Sequence, residues 1–119
     1  MNKALLAAGA ISGAIAVAAG AFGAHALKER LSDKALAVFE TAARYQMYHA
    51  LAMVLCAALA GSLAGARVAG WLFQAGIVLF SGSLYVLALT DVKVLGAITP
   101  FGGLAFIVAW IWLAISALR

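Results

Sequence analysis

Charged residues are scarce in this chain. Only 10% of its 119 residues are Asp, Glu, Lys or Arg, whereas 67% are hydrophobic. A water-soluble domain has about 25% charged and about 45–50% apolar residues. Too few charged side chains are present to cover the surface of so apolar a protein. The composition therefore excludes an ordinary soluble domain and predicts a protein that lies in lipid.

Cysteine and acidic residues are also rare. The single cysteine, Cys56, excludes an intrachain disulfide, and its place inside an apolar run is typical of a small buried hydrophobe. The four acidic residues lie at the edges of the apolar runs, so no run carries the deep carboxylate on which small proton-coupled exporters depend. A small transporter remains an alternative, but His49 would then have to carry the protons in place of a carboxylate.

Motifs typical of soluble enzymes are absent. The chain has no Walker loop, no dinucleotide-binding glycine fingerprint and no zincin or paired-cysteine motif, and no Gly-x-Ser-x-Gly nucleophile elbow. The net charge of +4 comes from Lys and Arg at the ends of apolar runs, where such residues set topology and contact lipid headgroups. These patterns favour a non-enzymatic task, and nucleic acid is not expected as a partner.

Four apolar runs are each long enough to cross a hydrocarbon core, which takes about 20 helical residues. Their predicted limits are 4–27, 45–64, 68–90 and 99–118. The first run is longer than the apolar region of about 7–15 residues in a signal peptide, so a retained helix is favoured over a cleaved leader. Helices are expected throughout, because backbone groups in lipid have no water partners and these runs lack the alternation of barrel strands.

The charged stretch 33–44, with Ser32 as its N-cap, predicts a short amphipathic helix at the membrane interface, able to continue into the second run without a break. The predicted fold is therefore an all-α integral membrane four-helix bundle in a single domain, with this interfacial helix between spans one and two. Five Lys and Arg side chains on the loop side, against three on the side of the termini, favour a cytoplasmic loop. The bilayer is the expected partner, and a homo-oligomer or a membrane-protein partner stays open.

Polar side chains near the charged loop mark the place where any chemistry would occur. His25 lies at the exit of the first run and His49 one turn into the second, so both are expected at a similar depth. An ionisable residue inside a membrane is a functional-site hypothesis by default. Four-residue spacing places Tyr45 with His49, and Ser81 with Tyr85, on single helix faces. The candidate ligand-binding residues are His25, Glu40, Arg44, Tyr45, Tyr48, His49, Gln74, Ser81 and Tyr85.

Three uses of this cluster remain open. Its members can bond to one another and simply hold the helices together. They can bind a lipid-like or quinone-like ligand, or a membrane partner, with Arg44 meeting an anionic group. The third use is a redox protein in which His25 and His49 ligate haem or a metal. The sequence names no cofactor.

Four blocks of the sequence resemble those of a known family. They are GAFGAHAL from Gly20, FETAARYQMYHAL from Phe39, FSGSLY from Phe80 and GAITPFGG from Gly96. Together they resemble the uncharacterised inner-membrane family called domain of unknown function 423, the YgdD-like proteins, to which a small mitochondrial-type transmembrane protein of eukaryotes is similar. The resemblance implies a multi-pass protein of the bacterial inner (plasma) membrane and supplies no activity. Because these blocks contain the polar cluster, it favours the ligand-site interpretation.

Overall fold

The computed structural model describes all 119 residues, and it contains helices and short connections without any strand. Four long helices follow one another: α1 (Lys3–Leu27), α2 (Asp33–Leu59), α3 (Ala66–Thr90) and α4 (Thr99–Leu118). A single 3₁₀ turn, Lys93–Ala97, precedes α4. The predicted all-α class is confirmed.

Three of the four helical segments are long and apolar enough to cross a membrane: α1, α3, and α4 together with its 3₁₀ turn. Helix α2 has 27 residues but carries charged and polar side chains over its first half. The stretch 33–44 forms its first turns without a break before the apolar part. No Gly or Pro interrupts α2, and residues such as Ala, Leu, Met and Glu favour helix throughout.

Short connections make successive helices antiparallel. Helix α2 begins at Ser32, whose hydroxyl accepts a hydrogen bond from the Ala35 amide at 3.1 Å. Helix α3 ends at Asp91, which adopts a left-handed conformation with φ 57° and donates its amide to Leu87 O. Such a residue closes a helix C-terminus and turns the chain. The bundle therefore has a loop end, with the α1–α2 and α3–α4 connections, and a terminal end, with both chain termini.

Helices α2 and α3 form the centre of the molecule, with α1 packed along α2 and α4 packed along α3. The contacts between α1 and α2 extend over their whole length. At the terminal end the Asn2 amide donates to Ala57 O at 3.0 Å. At the loop end Gly23 lies against the Phe39 ring. The main core lies toward the terminal end, and its largest fully buried side chains include Leu5, Met53 and Phe73.

Glycine allows α4 to approach α3 closely. A Cβ atom added at Gly102 would lie 2.7 Å from Phe80 Cα, and one added at Gly76 would meet the Phe106 ring. Small residues at such contacts bring backbones together, which is how helices associate where lipid removes the hydrophobic drive between them.

Candidate functional site

The predicted site residues do not form one cluster. His25 is exposed in the last turn of α1, whereas His49 is buried in the middle of α2. Because Gly13 of α1 lies against Ala50, His49 is level with the middle of α1. At 1.5 Å per helical residue, the two histidines are about 18 Å apart along the bundle axis. A similar depth was predicted because residue 45 was taken as the start of the second span. Helix α2 begins 12 residues earlier, at Asp33, which places His49 in its middle.

Protein groups occupy both nitrogens of the His49 ring. Its Nδ1 lies 2.7 Å from Tyr45 O, and the Trp110 indole donates to its Nε2 at 3.2 Å. The ring also stacks on Phe106, with centroids 3.6 Å apart and planes 4° apart. An indole N–H only donates and a carbonyl only accepts. His49 is therefore a neutral imidazole with its proton on Nδ1.

This arrangement makes His49 a bridge between α2 and α4. An iron or zinc ion at Nε2 would have to displace Trp110, and a proton added there would face the indole N–H. No group of three or more His, Cys, Asp or Glu side chains is placed to hold a metal ion. The contacts of His49 are those of a side chain that holds two helices together.

A second polar network joins three helices. The Gln46 amide of α2 donates to the hydroxyl and the backbone oxygen of Ser12 in α1, at 3.1 and 3.2 Å. The Tyr85 hydroxyl of α3 donates to Gln46 Oε1 at 2.6 Å. Nearby, the Ser81 hydroxyl donates to Ala42 O at 2.7 Å. Buried polar groups in a membrane protein need such partners, and these bonds fix α1, α2 and α3 relative to one another.

Gln46, Ser12 and Trp110 are important residues that the sequence reasoning missed. The signal for Gln46 was its spacing three residues before His49, which places both on one helix face. The four-residue spacing of Tyr45 and His49 was used instead, but Tyr45 is 37% exposed whereas Gln46 is 5% exposed. No spacing rule pairs Ser12 or Trp110 with a residue on a different helix.

Gln74 belongs to neither network. Its Oε1 atom is buried without a hydrogen-bond partner, as are Trp112 Nε1 and Ser116 Oγ near the terminal end of α4. Gln74, Ser81 and Tyr85 were all predicted to belong to the site, and the structure gives side-chain hydrogen-bond partners to Ser81 and Tyr85 only.

The charged members of the predicted set line an open groove between α1 and α2. Exposed Glu40 and Arg44 lie one helical turn apart on α2. The groove has a volume of about 340 Å³, and its remaining walls are Ala16 and Gly20 of α1 and Ala43 and Met47 of α2. Gly20 belongs to a π-helical turn of α1, Ala18–Gly23, of the kind that often occurs at functional sites.

The groove lies below the charged loop end. Gly20 faces Ala43, the residue before Arg44, with 3.7 Å between an added Cβ and the Ala43 Cβ. At 1.5 Å per residue this level is about 11 Å from the end of α1. Tyr48 continues the stripe of Glu40 and Arg44 at four-residue spacing and is 51% exposed. Glu40, Arg44 and Tyr48 thus form an exposed polar stripe along the apolar part of the bundle.

Long apolar helices with charged residues at both ends define a multi-pass helical membrane protein. Within that class, the chain belongs to the family described as "Protein of unknown function (DUF423)", whose model matches residues 19–103. The family predicted from the four sequence blocks is therefore confirmed.

Relatives in other bacteria are similar over nearly the whole chain. The UPF0382 membrane protein YwdK of Bacillus subtilis is 52% identical over 114 residues, which cover 93% of each chain. The UPF0382 membrane protein SAB0533 of Staphylococcus aureus is 50% identical over 112 residues, 93% of this chain and 92% of its own. No solved structure matches the chain. These bacterial membrane relatives and the three apolar helices confirm the predicted location in the bacterial inner (plasma) membrane.

Proposed function

We propose that all four helices cross the membrane, including α2. Helix α2 packs against α1 and α3, which are both long and apolar enough to span. Its contacts with α1 reach from Ala57 at the terminal end to Phe39 near the loop end. A helix held in this way between two spanning helices shares their depth. Two of the polar residues that make α2 less apolar, Gln46 and His49, are buried against the other helices.

We further propose that this four-span protein binds a lipid-like molecule with an anionic head in the groove between α1 and α2. The observation that carries the proposal is the exposure of Glu40 and Arg44 at the depth of Gly20. Ionisable residues within a membrane are costly and normally face the protein interior or a partner. Arg44 lines the groove, so an anionic group bound there would face its guanidinium.

The walls of the groove suit such a molecule. A guanidinium binds a phosphate or carboxylate through two parallel hydrogen bonds. Glu40 can accept a hydrogen bond from a hydroxyl or ammonium group of the same head. Ala16, Gly20 and Met47 offer apolar contact to an acyl or isoprenoid chain, and the unbranched Met side chain adapts to irregular shapes. The proposed role is binding without chemical conversion of the ligand.

Native mass spectrometry of the protein released from nanodiscs of bacterial lipid tests this proposal. The wild type should retain an adduct of lipid-like mass that depends on Arg44. Loss of a charge-assisted hydrogen bond worth about 1.5–3 kcal/mol should lower the retention of the Arg44→Gln variant by at least tenfold.

Arg30→Gln, which removes an arginine from the loop outside the groove, is the matched control and should keep the adduct. Equal retention by the wild type and both variants would overturn the proposal.

A further inference from the structure

A second cavity lies at the loop end of the bundle, between the first turns of α2 and the end of α3. It has a volume of about 380 Å³. Its charged lining consists of Lys34 of α2, Asp91 at the end of α3 and Lys93 of the 3₁₀ turn. The rest of its lining is Ser32, Ala35, Val38, Leu87 and Ala88. It shares no residue with the groove between α1 and α2.

The charges of this cavity favour a singly charged anion. Two ammonium groups against one carboxylate leave one net positive charge. All three side chains are exposed, so a ligand can approach from the membrane surface. The first turn of α2 adds the positive end of a 27-residue helix to the same place. The two lysines are nevertheless the groups that would contact the ligand directly.

The apolar part of the cavity lies on the membrane side of the charges. Val38 is one turn beyond Lys34 along α2, and Leu87 is one turn before Asp91 along α3. Both steps lead from the loop end toward the apolar middle of the bundle. A ligand that fills this cavity therefore has an anionic head at the surface and a hydrocarbon part that extends along Val38 and Leu87.

We propose that this cavity binds the phosphodiester head of an anionic glycerophospholipid, of which phosphatidylglycerol is the simplest example. Its single negative charge matches the net charge of the cavity. Lys34 and Lys93 contact the phosphate oxygens, and the glycerol head lies within reach of the Asp91 carboxylate as a hydrogen-bond donor. Basic residues at the edge of a membrane span commonly attract anionic lipids in this way.

The conformation of Asp91 holds Lys93 at the cavity. Asp91 is the only residue of the chain with a positive φ, and the hydrogen bond from its backbone N–H to Leu87 O, at 2.8 Å, closes α3. Asn adopts the left-handed region as readily as Asp does. Asp91→Asn therefore keeps the turn and removes only the negative charge.

Lipid titration of the detergent-solubilised protein, followed by native mass spectrometry, tests the site. We expect one phosphatidylglycerol to bind independently of Arg44, and a Lys34→Gln/Lys93→Gln variant to bind this lipid roughly thirtyfold more weakly, since two charged contacts are lost. Asp91→Asn should bind it more tightly. The matched control is Lys3→Gln/Lys28→Gln, which removes the same charge outside the cavity and should bind as the wild type does.

Three results would overturn the proposal: equal loss of binding in the control, equal binding of phosphatidylethanolamine, or displacement of the lipid by inorganic phosphate. Arg44→Gln is predicted to leave this adduct in place, so the titration separates this site from the groove.

Discussion

Single residues at the helix contacts determine how closely the helices approach. Gly102 and Gly103 are neighbours in α4 with opposite surroundings. A Cβ at Gly102 would lie 2.7 Å from Phe80 Cα, a backbone atom, whereas a Cβ at Gly103 would lie 3.8 Å from the nearest ring atom of Phe80. Only the first position requires glycine for close approach.

Gly102→Ala should therefore destabilise the protein by about 1–3 kcal/mol, because overpacking forces α4 away from α3. Gly103→Ala is the matched control and should be neutral or slightly stabilising, since Ala favours helix over Gly. Thermal unfolding in mild detergent measures both. Equal melting temperatures for the two variants would show that α4 does not pack on α3 at Gly102.

His49 provides the second prediction for single residues. Trp110→Phe removes the only donor to its Nε2 while keeping an aromatic ring. Losing this hydrogen bond should lower the free energy of unfolding by about 0.6–2 kcal/mol, which is typical of one hydrogen bond between membrane helices. Nitrogen NMR of the wild type should show a neutral ring protonated on Nδ1. Trp71→Phe, at a tryptophan of similar exposure that makes no contact with His49, should change neither the spectrum nor the stability. A wild-type ring protonated on Nε2 would contradict the assignment.

The sequence predicted which residue types matter better than it predicted their partners. His49, Ser81 and Tyr85 were named as polar groups of one site, and the structure gives each a partner on another helix. Those partners depend on helix rotation and register. His49 and Trp110 are 61 residues apart, and no local periodicity connects positions so distant.

At the scale of elements, α2 is the helix on which both polar networks and the groove depend. Its buried face meets α1 through Gln46 and α4 through His49, and its exposed stripe carries Arg44. Hydropathy found the apolar part of this helix and assigned the stretch 33–44 to the membrane interface, as a helix able to continue into the span. The structure has one continuous helix, Asp33–Leu59. Hydropathy averages over faces, so it cannot show that polar residues such as Gln46 point inward.

The Ser12–Gln46–Tyr85 network predicts a measurable coupling between elements. Tyr85→Phe removes the hydroxyl that donates to Gln46 Oε1 at 2.6 Å. It should lower the free energy of unfolding by about 0.6–2 kcal/mol. A double-mutant cycle with Gln46→Leu should show that the two effects are not additive.

Tyr48→Phe is the control, because Tyr48 is 51% exposed and belongs to no network. Additive effects of Tyr85→Phe and Gln46→Leu would mean that the hydroxyl and the amide do not interact in the folded protein.

At the scale of the whole molecule, the number of spans decides where the termini lie. Four spans place both termini on one side, whereas three spans, with α2 on the surface, place them on opposite sides. The sequence predicted the all-α class and the family from composition and blocks of residues. The orientation in the membrane was indicated only by five basic residues on the loop side against three on the side of the termini. Lys and Arg near the ends of the spans are the main sequence signal for orientation.

Cysteine labelling tests the topology, since the native Cys56 is buried. Variants Lys3→Cys and Arg119→Cys should react with an impermeant maleimide in intact cells. Glu29→Cys and Lys93→Cys should react only after the membrane is opened, because the positive-inside rule places the loop end in the cytoplasm. Opposite accessibility of Lys3→Cys and Arg119→Cys would show that α2 does not span.

The most direct test of the central claim is to map where a lipid contacts the protein. A phospholipid with a photoreactive acyl chain can be crosslinked to the protein in nanodiscs, and the modified peptides identified by mass spectrometry. The account predicts crosslinks concentrated at Gly20 and Met47 of the groove and at Val38 and Leu87 of the loop-end cavity. Those in the groove should be reduced in Arg44→Gln and unchanged in Arg30→Gln. Crosslinks spread over all exposed apolar residues, such as Ile107 of α4, and unaffected by Arg44→Gln would contradict it.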